Sequence, residues 1–116
     1  MDHTTHDKML DKKVVERKGV QGTMEQNAKD IAQILKVIGN ENRVLILCHL
    51  MNAPLTVTEL SERVSHISQS ALSQHLAVLK AYDILDSRKK GLHITYSLKD
   101  DRILAVLDVI RSKFCD

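Results

Sequence analysis

Three groups of side chains carry the chemistry this sequence offers. Cys48, within Leu47-Cys48-His49-Leu50, and Cys115, within Lys113-Phe114-Cys115-Asp116, are the two cysteines of a 116-residue chain. They are too remote for a metal-binding CxxC and too few for a disulfide-dense secreted scaffold. In a reducing cytoplasm a bond between them would be a signal rather than a staple. By packing alone Cys48 reads as a small core hydrophobe, whereas Cys115, one residue from the carboxyl terminus, is hard to explain as packing. The second group is Ser68, Gln69, Ser70, Ser73, Gln74 and His75. All are donors or acceptors, none repels phosphate, and Gln can pair with adenine while Ser suits several base edges. The third is the cationic run Arg88, Lys89 and Lys90, chemistry that neutralises phosphates. No Ser/His/Asp arrangement, glycine-rich phosphate loop or carboxylate pair stands out, so an enzyme is not expected. No cofactor is implied. His3 and His6 read as solvated tail residues, not metal ligands.

The elements that must position these groups are legible from periodicity and punctuation. Residues 1–23 mix Lys8, Lys12, Lys13, Arg17 and Lys18 with Asp2, Asp7, Asp11 and Glu16, then Gly19 and Gly22, and are expected to form a flexible arm. Met24, Ala28, Ile31, Leu35 and Ile38 share one face of an amphipathic helix that Gly39 ends. Asn40 caps a second helix to about Asn52. It is apolar nearly all round, with Val44, Leu47, Cys48 and Met51 on one stripe and Leu45, Ile46 and Leu50 on another, so it is expected to be central. Pro54 closes that segment.

Thr56-Val57-Thr58-Glu59 is a capping box that starts a third helix ending near Val64. Ser68 caps a fourth, with Ala71, Leu72, Leu76 and Leu79 turned to the core. Two short helices joined tightly make a helix-turn-helix, and the polar face of its second helix suits the major groove. Ile84–Arg88 and Leu92–Leu98 have strand-like content and are joined through Lys89-Lys90-Gly91, giving a hairpin with a basic tip, expected to be a wing against the phosphate backbone. Asp100 or Asp101 caps a last helix with Ile103, Leu104, Leu107, Ile110 and Phe114 on one side and Val106 and Val109 on another. One face belongs to the core. The other, with the first helix, is expected to form a homodimer seam.

Composition agrees with this mainly α fold with a small β-hairpin, a winged helix-turn-helix over residues 24–116. Hydrophobic residues are 43% and charged residues 28%, enough apolar content for a core. Aromatics are 3%, so the core must be aliphatic and stacking platforms for single strands are excluded. The longest apolar run, Val44–Met51, is too short to span a bilayer, and the amino terminus lacks a secretory pattern, so a cytoplasmic protein without membrane contact is expected. Net charge is only +2, yet from Ser68 to Lys99 the bases Lys80, Arg88, Lys89, Lys90 and Lys99 face only Asp83 and Asp86. The positive excess lies where duplex DNA would be read.

The order of elements resembles the ArsR/SmtB family of winged-helix repressors. The likeness rests on Gly39-Asn40-Glu41-Asn42-Arg43-Val44-Leu45-Ile46-Leu47, on Thr56-Val57-Thr58-Glu59-Leu60, on Ser68-Gln69-Ser70-Ala71-Leu72-Ser73-Gln74-His75-Leu76, and on the basic hairpin ending in Tyr96. It covers about Met24 to Cys115. Asp83 departs from the pattern, standing where the family usually has glycine. The family's usual metal sites are cysteines in the third helix or Asp/His pairs in the last. Here the third helix has no cysteine and residues 100–116 no histidine.

The remaining pair, Cys48 and Cys115, resembles that of the dithiol subgroup that includes SqrR, BigR and HlyU, which respond to reactive sulfur species or oxidants. The resemblance implies a dimeric repressor that binds operator DNA when reduced and is released when the two thiols are joined by a disulfide or polysulfide. Arg111 and Lys113 are expected to favour a thiolate at Cys115. Two alternatives stay open: a metal-responsive repressor using Cys48, His49 or the tail histidines, and a winged helix serving as a protein-interaction module. Operator, target genes and native inducer are beyond the sequence.

Overall fold

The computed structural model describes residues 22–115; the expected arm lies almost wholly outside them. The described chain forms two compact units, one ending at Lys36 and one beginning at Val37. In the first, helix α1 (Met24–Ile38) starts beyond Thr23, whose Oγ1 accepts from the Gln26 amide at 3.2 Å. Its last two residues, Val37 and Ile38, are buried in the second unit.

The second unit contains α2 (Glu41–Leu50), β1 (Leu55–Thr56), α3 (Val57–Arg63), α4 (Gln69–Ala81), β2 (Leu85–Lys90), β3 (His93–Leu98) and α5 (Asp101–Phe114). Each helix start carries the side chain the orphan amides require. Asn40 Oδ1 accepts from the Asn42 and Arg43 amides, and Ser68 Oγ from Ala71. Asp100, rather than Asp101, caps α5 through the Arg102 amide at 2.9 Å. The capping box is complete: Glu59 N donates to Thr56 Oγ1 at 3.1 Å, and Thr56 N to Glu59 Oε1 at 2.8 Å.

The core is aliphatic, with Ile46, Leu47, Leu60, Val64, Leu72, Leu76, Leu79, Ile84 and Leu85 fully buried. Among the described residues no polar or charged side chain is buried with them. Helix α2 supplies Ile46, Leu47 and Leu50 but turns Val44 outward, so it is less enclosed than its composition implies.

Two details of the sheet differ from expectation. It has three antiparallel strands in the order β1-β3-β2, because Leu55 and Thr56 pair with Tyr96 and Thr95. A two-residue strand carries no periodic signal, so nothing local marks it. The hairpin turn is also shorter than expected. Lys90 pairs with His93 across the strands, leaving Gly91-Leu92 as the turn, and Lys89 and Lys90 belong to β2 rather than to the loop. Gly91 has φ +63° while Leu92 is not left-handed, the arrangement in which glycine takes the first central position of a tight hairpin turn.

Asp83, in the middle of the three-residue link from α4 to β2, is in a left-handed conformation, φ +58°. For a residue with a Cβ this costs about 1–2 kcal/mol. Its ion pair with Lys99, at 3.4 Å, is exposed on both sides and offsets little of that. Asp83→Gly is therefore expected to raise unfolding stability by about 0.5–1 kcal/mol, net of the entropy glycine adds to the unfolded chain; urea denaturation checks it.

Candidate nucleic-acid interface and thiol pair

On α4, the core residues Leu72, Leu76 and Leu79 leave the opposite face to Ser70, Ser73 and Gln74, all exposed. Ser68 and Gln69 are also exposed at its start, so five of the six polar residues expected to read a groove lie open to solvent. The sixth does not. His75 is half-buried, and its Nδ1 lies 3.4 Å from Nη1 of Arg43 on α2. Its spacing from Leu72 and Leu79 puts it at the margin of the core.

Burial first, and then the Arg43 charge, hold the His75 pKa below its ordinary value. A guanidinium can only donate, so Nδ1 is the acceptor and the ring is neutral, with its hydrogen on Nε2. The sign of the linked stability follows. The unfolded chain takes up the proton first as pH falls, so the contribution is present above about pH 6.5 and is lost below it. Unfolding stability should therefore fall between pH 7 and 5 with a component that His75→Gln removes, read by denaturation at stepped pH.

The wing carries Arg88, Lys89 and Lys90, all exposed. Strand alternation sends Arg88 and Lys90 to one face and Lys89 to the other. Lys80 at the end of α4 donates to Ser87 Oγ at 2.7 Å, tying the reading helix to the wing. Between them lies a hollow of about 320 Å³ whose lining includes Thr58, Ser73, His93 and Tyr96. Leu92, at the tip, is 96% exposed.

The cysteines lie elsewhere in this unit. Cys48 is half-buried on α2; Cys115 is exposed immediately after α5, its amide donating to the Arg111 carbonyl at 2.9 Å. Both are free thiols. Burial pushes the Cys48 thiol up, the charge of an ionised Cys115 pushes it further, and Arg111 opposes both. Arg111, assigned from sequence to Cys115, acts instead on Cys48. It also pairs with Asp108 at 3.5 Å. Among the described residues no three His, Cys, Asp or Glu side chains stand together as a metal site. No described helix is long and apolar enough to cross a membrane.

Arg43 is the participant sequence reasoning missed. Its partner lies 32 positions away, so no local pattern could have paired them.

Residues 40–87 match the model for the bacterial regulatory protein, arsR family. The chain is similar to the transcriptional activator HlyU of Vibrio cholerae, with 38% identity over 92 residues, 79% of this chain and 84% of that protein. The solved structure of reduced HlyU from V. cholerae superposes with TM-score 0.75 over 80% of this chain and 97% of that one. The transcriptional repressor BigR from Xylella fastidiosa superposes with TM-score 0.74 at 29% identity, covering 80% and 94%. The regulator NmtR of Mycobacterium tuberculosis is 36% identical over 83 residues, 72% of this chain and 68% of that protein. Helix-turn-helix, wing and sequence agree: the chain belongs to the arsR family of bacterial regulatory proteins and is a winged-helix transcriptional regulator.

Proposed function

We propose that this regulator is a homodimeric repressor that holds operator DNA while Cys48 and Cys115 are reduced and releases it when they are joined. The observation that carries the reading is that the half-buried Cys48 on α2 lies within reach of the charge of an ionised Cys115, remote in sequence at the end of α5. Likeness to HlyU, a relative solved in a form described as reduced, supports it.

The chemistry is stoichiometric, not enzymatic. Cys115 is the accessible thiol and meets the reagent; Cys48, kept protonated by burial, resolves the product. With a persulfide, Cys115 takes the outer sulfur and expels a thiol. Attack by Cys48 on the Cys115 sulfur then forms the disulfide and expels hydrogen sulfide. With two persulfides, one sulfur stays in the bridge as a trisulfide, and two thiols and one hydrogen sulfide leave. With peroxide, a sulfenic acid forms at Cys115 and water leaves when Cys48 closes the bond.

Dimerisation is supported by α5. Ile103 and Leu107 are buried, while Val106, Val109, Ile110 and Phe114 are exposed along the same helix, Phe114 at 84%. Uncovered apolar area of this kind marks an interface. A second copy covers it and sets two reading helices in successive grooves. Joining α5 to α2 then alters the spacing of those helices.

Intact mass and operator binding, measured on the same samples after persulfide or peroxide treatment, test the reading. Joined thiols with weakened binding support it. Retained sulfur identifies persulfide as the preferred reagent. Bridged protein that binds as tightly as reduced protein overturns it.

A further inference from the structure

The first turn of α2 is tied to three other parts of the fold. Arg43 Nε donates to the Val37 carbonyl at 2.6 Å, holding the last turn of α1. Asn42 Oδ1 lies 3.3 Å from Nε2 of His66, in the turn between α3 and α4. Arg43 Nη1 reaches His75 on α4 itself. Asn40, whose side chain accepts from both the Asn42 and Arg43 amides, fixes the backbone from which these contacts spring.

We infer that Arg43 and His75 are positioning residues for sequence discrimination: their contact fixes the rotation of α4 about its own axis, and so the aim of Ser70, Ser73 and Gln74. The inference rests on the DNA-reading part of the proposed function, not on the thiols. Leu72, Leu76 and Leu79 anchor α4 by apolar contact, which is strong but non-directional. Such packing resists withdrawal of the helix better than a small rotation. A rotation of ~10° moves a side-chain tip, ~5–6 Å from the helix axis, by ~1 Å. That displacement takes a hydrogen bond to a base edge out of range. A directional contact on the flank of α4 supplies the missing restraint. The Arg43–His75 pair is that contact, with Arg43 itself immobilised by the Val37 carbonyl.

The atoms involved make the test specific. Arg43 meets Nδ1, so an asparagine at position 75, whose Oδ1 occupies nearly the Nδ1 position, keeps the acceptor. A glutamine replaces Nε2 instead, the atom a direct base contact would use. The full chain and its His75→Ala, His75→Asn and His75→Gln variants are titrated with a duplex selected from a random-sequence pool by the wild-type protein, and with an unrelated duplex.

His75→Ala should lower the preference for the selected duplex about tenfold, the size of one lost base contact, while affinity for the unrelated duplex and its salt dependence stay unchanged. His75→Asn should restore the preference and His75→Gln should not. Arg43→Ala should cost the same preference and add little to His75→Ala. If Arg43→Ala does not fold, the position-75 series decides alone. Rescue by glutamine and not asparagine, or unchanged preference in His75→Ala, overturns the inference. A wild-type protein with no preference for any selected duplex removes the DNA-reading assignment beneath it, a result distinct from these.

Discussion

Replacing Cys48 or Cys115 by serine should leave binding of the untreated protein to its operator unchanged and abolish its release by persulfide. The wild-type protein should lose affinity by a factor of roughly 5–150 on the same treatment, the range that ordinary coupling between distant sites produces. Neither thiol lies on α4 or the wing, so reduced binding has no reason to change. Each single variant lacks one end of the bridge, so α5 stays untied from α2. The intermediates should differ. Cys48→Ser keeps the exposed thiol and should accumulate a persulfide or mixed disulfide at Cys115, whereas Cys115→Ser, left with a half-buried thiol raised by its surroundings, should react slowly. Mobility-shift titrations beside intact mass separate these outcomes. Release that persists in both variants refutes the switch while leaving the DNA-binding assignment intact.

Replacing Arg88, Lys89 and Lys90 together by alanine should weaken operator binding by on the order of several hundred-fold near 0.1 M salt, with the loss vanishing as salt approaches 1 M. Each phosphate contact contributes ~0.9 to the slope of log affinity against log salt, so the slope should become shallower by up to about 2.7. The three side chains are exposed on a short hairpin and contribute nothing to the core, so folding should survive. Lys99→Ala is the control. That cation already faces Asp83 and lies outside the wing, so its removal should change the slope little. Measuring affinity at four or five salt concentrations is sufficient. An unchanged slope would mean that the wing does not meet the phosphate backbone and would favour an interaction with protein instead.

Much of this architecture is written in local chemistry. Thr56 and Glu59 form the reciprocal cap their spacing requires, and Asn40, Ser68 and Asp100 satisfy the amides that helix starts leave open. The apolar positions of α4 fall on the core because a 3.6-residue period leaves them no other common face. Asp83 adopts a left-handed conformation, a region that its short polar side chain tolerates better than most.

What escaped the sequence were features decided by partners far along the chain. Leu55 and Thr56 become a strand because β3 passes beside them, and two residues cannot announce that. Lys89 and Lys90 join β2 because a two-residue turn lets Lys90 pair with His93. His75 looks like one more polar residue on a reading helix until Arg43 is brought to its Nδ1.

The sequence by itself determined the helices, their order, the aliphatic core and the charge of the wing, because capping and amphipathic period act over a few residues and need no partner. Only the tertiary structure decided which thiol is sheltered and which is open, that Cys48 lies within reach of the charge of an ionised Cys115, and that His75 turns toward Arg43 instead of outward with Ser73 and Gln74. The reason is physical: burial and electrostatic contact depend on distances through space, and packing sets those distances independently of separation along the chain.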